Sequence, residues 1–392
     1  MKKFLSLICV LFLLTGCVAQ SDIGNAQNNQ ADNFNTSENA EARIPQKTGS
    51  LELLYAEQFS ADFYEGGYVH IFVGDGSNYV LVPQDKEENT LGFESPIYIK
   101  MPCERIYLAA SSAMDLFLQL DSLDNIAACS TKSSDYAMEA VRDAIDTGKI
   151  EYVGKYNAPD YEALLRNNCG IAIESTMIGH TPKTKEQLEA LGIPVFVERS
   201  SYETDPLGRL EWIKLYGLLA GKASEANTFY DEQIERLERL QDEKAAEPEG
   251  DSKVKVAFFS VTSSGYITVR KPGDYICKMI EMAGGEYALD DLLVEEDNAL
   301  STINIGMEDF YREAVDADIL IYNGSIDGGI NSLNDLLSKS ELFMDFKAVK
   351  NSKVWSTGLN MFQESSKTVD VICEMADVIS GSGEQHYLKH LD

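Results

Sequence analysis

The chain has 392 residues, with 64 Asp and Glu against 33 Lys and Arg, a formal net charge of -31. That length exceeds one small domain and suits two lobes of ordinary size. Acidity on this scale repels a phosphate backbone and excludes nucleic acid as a partner; otherwise it means a well-solvated surface.

Lys2 and Lys3 precede an apolar run from Phe4 to Leu14. The run is shorter than the ~20 apolar residues a spanning helix needs, and reads as a secretory signal over residues 1–16. It ends in Leu14-Thr15-Gly16-Cys17. This resembles the lipobox of bacterial lipoproteins, which implies that Cys17 is lipidated and becomes the mature N-terminus. Residues 17–49, rich in Asn, Gln, Ala and Glu, are expected to be a flexible tether. No later stretch approaches a membrane span, so contact with the membrane is expected through the lipid anchor only.

Residues 50–222 are expected to form a first α/β lobe with an added β-hairpin region. Tyr68–Val73 and Tyr79–Val82, separated by Asp75-Gly76, predict the hairpin, with His70 as a strand residue. Beyond Pro102, strands and helices alternate. Strands are expected at 106–109, 126–130, 170–173 and 195–197, with helices at 113–120, 136–147, 160–166 and 184–191. This rhythm argues a parallel sheet. Asp205-Pro206 is a strong helix start, and Gly221 a stop. Residues 223–246 then predict a linking helix, its run to about Lys244 roughly 33 Å long. A second α/β lobe is expected over 247–392, with strands at 254–260 and 319–322 and helices at 275–283, 307–315 and 332–339. The fold class is therefore α/β, two Rossmann-like lobes joined by a single long helix.

The mature chain keeps Cys103, Cys129, Cys169, Cys277 and Cys373, an odd number with no CxxC. That spacing fits neither a disulfide framework nor a zinc site, and all but Cys103 are expected to be small core residues. His386 and His390 stand four apart and could share one helix face near the C-terminus. The only other histidines are His70 and His180, so binding of a metal by the protein itself is not expected. No G-x-S-x-G elbow, Walker loop, H-E-x-x-H or Rossmann glycine fingerprint is present, and nothing proposes an enzyme.

Several stretches, in order, carry a family likeness: Arg105–Ser112, Ala158–Glu162, Gly170–Glu174, Leu191–Val197, Asp205–Lys214 and Arg270–Tyr275. From about Arg105 to Ser380 the chain resembles the substrate-binding proteins of ABC importers for ferric siderophores, haem and corrinoids. The resemblance implies a monomeric, lipid-anchored receptor on the outer face of the cell membrane. It would need no cofactor, would capture an iron chelate or corrinoid between its lobes, and would deliver it to an ABC permease and its ATPase. It also implies one docking carboxylate per lobe: Glu308 in the second, and in the first Glu186, where Lys183 stands at the expected place.

In open α/β lobes ligands lie beyond the carboxyl ends of the strands. The loops there point to Tyr156, Glu174, Met177, His180, Tyr202 and Glu203 in the first lobe, facing Tyr266, Arg270 and Asn323 in the second. Aromatic side chains suit the flat apolar faces of large chelates, and Arg270 suits an anionic edge. Two other readings stay open. One is a receptor for a free transition-metal ion; the other is a surface sensor or adhesion module without a permease.

Overall fold

The first strands make a sheet of their own. β1 (Lys47–Ser50), β2 (Phe59–Tyr64), β3 (Val69–Val73), β4 (Asn78–Pro83) and β5 (Ile97–Met101) pair in that order, antiparallel except for β4 and β5. The expected hairpin is β3–β4, but it sits inside five strands. β1 also corrects the tether: Lys47 is in the sheet, ion-paired with Asp62 at 2.7 Å. Val69, Ile71 and Val73 alternate onto the core face. His70 faces the other way, stacked on Phe93 at 3.6 Å. The computed structural model describes residues 44–245, 253–293, 301–326, 329–381 and 386–392. Cys17, the signal segment and the tether up to residue 43 lie outside the described residues.

The first lobe follows as β6 (Ile106–Leu108), α1 (Met114–Gln119), β7 (Ile126–Cys129), α2 (Glu139–Asp146) and β8 (Glu151–Tyr152). A small hairpin, β9 (Gly154–Lys155) with β10 (Ala158–Pro159), leads to α3 (Tyr161–Arg166), β11 (Ile171–Ser175), α4 (Pro182–Ala190) and β12 (Val195–Glu198). The five main strands are all parallel, in the order β12-β11-β6-β7-β8.

Two helices follow. α5 (Pro206–Ala220) starts where Asp205 accepts the Leu207 N–H at 2.9 Å and ends at Gly221, whose φ of 71° is left-handed. Apolar residues all round α5 leave every residue but Arg209 buried. It touches α1, α7, α12 and β5, and so ties both lobes and the first sheet together. α6 (Ala223–Ala245) is the expected linking helix. It packs closely on α5 because Gly217 has no Cβ; one would lie 2.5 Å from the Ala226 Cβ.

The second lobe runs β13 (Val254–Val261), β14 (Ile267–Arg270), α7 (Tyr275–Met282), β15 (Gly285–Tyr287), β16 (Thr302–Ile305), α8 (Met307–Ala314), β17 (Ile319–Tyr322), α9 (Leu333–Lys339) and α10 (Lys347–Lys350). It closes with β18 (Val354–Thr357), α11 (Asn360–Gln363), α12 (Thr368–Ser380) and β19 (Leu388–His390). The sheet order is β16-β14-β13-β17-β18-β19, with β15 also beside β13. β19 puts His390 in a strand, so it shares no helix face with His386. His390 lies in an edge strand opposite Trp355, with its ring nitrogens against Ser352 O at 2.7 Å and Asp392 Oδ1 at 2.9 Å.

Candidate functional site: the cleft between the lobes

The parallel strands of both lobes end in loops that meet between them. The Gln363 side-chain amide, beyond β18, donates to Asp135 O and accepts from Ala137 N, each at 2.7 Å, beyond β7. Ser365 Oγ donates to Ser112 O at 3.3 Å, beyond β6, and Ser366 N donates to the buried Asp115 Oδ2 at 2.7 Å. The α5–α7 contact adds a third tie. There the Arg209 guanidinium lies 3.5 Å over the Tyr275 ring, and Lys278 meets Asp205 at 3.5 Å.

The loops around this junction share one property. Met177 beyond β11, Tyr202 beyond β12, Tyr266 beyond β13, Ile326 beyond β17 and Leu359 beyond β18 are between 37% and 63% exposed. A large apolar side chain left in water forgoes burial worth about 1.5–3 kcal/mol. Five such side chains stand on five loops beyond the carboxyl ends of strands, the place where open α/β lobes take ligands. Ile326 and Leu359 were not expected; each follows a glycine by one or two residues, Gly324 and Gly358, at the end of a buried strand.

The other expected residues divide. His180 is exposed in the loop after β11, and Tyr156 is half-buried in the β9–β10 turn against the core beneath it. Asn323 is buried and shapes its own turn, accepting from Ser325 Oγ at 2.7 Å. Glu203 is no free ligand group. It accepts the N–H groups of Glu57 and Gln58 and the Trp212 indole N–H, all at 2.9 Å. Arg270, expected to face the cleft, is 7% exposed. Its side chain is buried 3.6 Å from Asp274, among the Phe258, Tyr275 and Phe362 rings at 5.4–5.6 Å. Glu186 on α4 and Glu308 in the first turn of α8 are both exposed.

Glu174 ends β11 fully buried, and neither oxygen finds a hydrogen-bond partner. Burial without a partner disfavours the charged form and pushes its carboxyl up to about 8. The folded chain then keeps a proton that the unfolded chain releases above about pH 4.5. Stability is therefore fully present below that pH and is lost as pH rises through about 8. Glu174→Gln is expected to melt several degrees higher than the wild type at pH 8 and about the same near pH 4.5, read by thermal denaturation at both. Four thiols are buried as well, and Cys373 is half-buried: burial pushes Cys103 up to about 12, and Cys129 and Cys169 to about 11. They are packing groups.

One parallel sheet and one mixed sheet, with the long α6 between them in the chain, define the fold, and solved proteins share it. The fold is similar to a periplasmic haem-binding protein from Pseudomonas aeruginosa, at TM-score 0.57 and 17% identity over 74% of this chain and 98% of that one. It is also similar to the triscatecholate siderophore binding protein FeuA from Bacillus subtilis, solved with ferri-bacillibactin, at TM-score 0.53 and 15% identity over 76% and 99%. In sequence the chain is similar to two uncharacterized lipoproteins of Methanocaldococcus jannaschii. MJ0878 is 23% identical over 97% of this chain and 93% of its own length; MJ0872 is 24% identical over 89% and 86%. No family model matches the chain.

Proposed function

We propose that this protein is an extracytoplasmic receptor that captures a metal chelate, a ferric siderophore, haem or corrinoid, in the cleft and delivers it to an ABC importer. The observation that carries this reading is the set of exposed apolar side chains on five separate strand-end loops. A bare ion needs convergent donors instead. Among the described residues no three His, Cys, Asp or Glu side chains come together as a metal site. The fold neighbours that bind haem and iron chelates support the same reading, and the lipoprotein relatives support attachment through Cys17.

Tyr266→Ser combined with Leu359→Ser tests it. Both side chains are exposed, so the fold should be spared. Removing two apolar contacts of the cleft is expected to weaken binding of the chelate recovered with the protein about tenfold or more. Calorimetry measures it; unchanged affinity would remove the second lobe's loops from the site.

Docking would use the exposed carboxylates Glu186 and Glu308. Glu308→Lys is expected to leave chelate affinity intact while weakening stimulation of the importer's ATPase. Reversing one charge of a docking pair replaces attraction with repulsion and typically costs several kcal/mol. An ATPase response equal to the wild type at limiting receptor would place Glu308 outside the interface.

A further inference from the structure

One side chain fastens the loop beyond β12 to the second lobe. Arg209 lies one turn inside α5 and is the only residue of that helix that is not buried. Helical side chains lean back toward the N-terminus, so Arg209 reaches over the loop that leads into the helix. Its Nε donates to Glu203 O at 3.1 Å and its Nη2 to Ser201 O at 2.6 Å. The flat face of the same guanidinium lies 3.5 Å over the ring of Tyr275, the first residue of α7. Asp274 beside it is already paired with Arg270 at 3.6 Å. Arg209 therefore acts as a planar fork and a stacking face, a combination that lysine cannot supply.

Between the two carbonyls that Arg209 holds stands Tyr202, 37% exposed. The rest of the loop is fixed as well. Ser200 N donates to the buried Glu198 Oε1 at 3.0 Å, and Glu203 accepts the Glu57 and Gln58 N–H groups. Arg199 Nε donates to Gln58 Oε1 at 3.4 Å, and its guanidinium lies 4.2 Å from the centre of the Tyr202 ring. Asp205 closes the loop by meeting Lys278 of α7 at 3.5 Å. The Tyr202 ring is thus open to solvent on a loop whose backbone is tied on both sides of it. A ring held in place before binding costs less to order when a ligand covers it.

We infer that Arg209 is a positioning residue of the cleft: by gripping Ser201 O and Glu203 O while stacking on Tyr275, it presents the Tyr202 ring to the bound chelate in a fixed place relative to the second lobe. This rests on the receptor reading above and deepens it, since Arg209 acts through Tyr202 and not by its own contact with the chelate.

The test is a double-mutant cycle on Arg209 and Tyr202. Wild type, Arg209→Lys, Tyr202→Ala and the double variant are titrated with haemin, a ferric tris-catecholate, a ferric trihydroxamate and cyanocobalamin. Quenching of tryptophan fluorescence reads binding, and each melting temperature is recorded. For the probe that the wild type binds most tightly, Tyr202→Ala is expected to weaken binding about tenfold. Arg209→Lys should weaken it about threefold or more, and the double variant no further than Tyr202→Ala alone. A role in stability only would instead lower the melting temperature and give losses that add. Additive losses, or either single variant binding like the wild type, would overturn the inference and leave the receptor reading standing. If none of the four probes binds the wild type, the receptor reading fails and this inference with it.

Discussion

Glu211→Ala is expected to destabilise the protein by about 3–5 kcal/mol, enough to threaten folding outright. Glu211 is wholly buried in α5. Its two oxygens accept the N–H groups of Leu54, Tyr55 and Ala56 at 2.8–3.0 Å and meet Lys214 Nζ at 2.8 Å. Removing it strands three backbone donors and leaves Lys214, its side chain 8% exposed, without its carboxylate and with only the Glu52 carbonyl at 3.1 Å. Glu211→Gln keeps an acceptor and should lose clearly less. Denaturant unfolding measures both. Amide exchange should show protection lost first in residues 51–58, the segment that leads into β2. A loss below about 1 kcal/mol for the alanine variant would mean that this segment is held by packing alone.

Arg270→Ala carries the second large effect, again about 3–5 kcal/mol. It leaves the Asp274 carboxylate buried without its cation and removes the guanidinium from among three aromatic rings. Burial already pushes the Asp274 carboxyl up, against the pull of Arg270. The compensated pair Arg270→Met/Asp274→Asn should recover much of the loss, since replacing both buried charges avoids the unpaired one. If Arg270→Ala instead lowers chelate affinity at an unchanged melting temperature, the side chain belongs to the cleft after all.

These two residues mark where local sequence stops informing. The helix that holds Glu211 was legible, because Asp205-Pro206 and Gly221 are local signals with local causes. The strand–helix alternation was legible for the same reason. The partners of Glu203 and Glu211 lie 145–157 residues earlier in the chain, and no spacing rule connects a carboxylate to backbone N–H groups that far off. Arg270 was expected to meet an anionic ligand in the cleft, and its burial beside Asp274 was not legible locally. The rings that enclose it come from residues 258, 275 and 362, which only folding brings together. β18 is four residues long and was not read as a strand, so Leu359 beyond it was not considered. Met177, Tyr202 and Tyr266 were singled out because the strands before them were legible. The first sheet was underestimated for a comparable reason: β1 and β5 are short and become strands only by pairing with β2 and β4.

The most direct test of the receptor reading is native mass spectrometry of the protein isolated from its own cells, paired with its visible absorbance. The account predicts one metal chelate per chain, absorbing in the visible and released on denaturation. The same chelate should be missing or depleted when Tyr266→Ser/Leu359→Ser is isolated in parallel. A bare metal ion in its place would contradict the account, as would a chain that carries no small molecule and binds no added chelate.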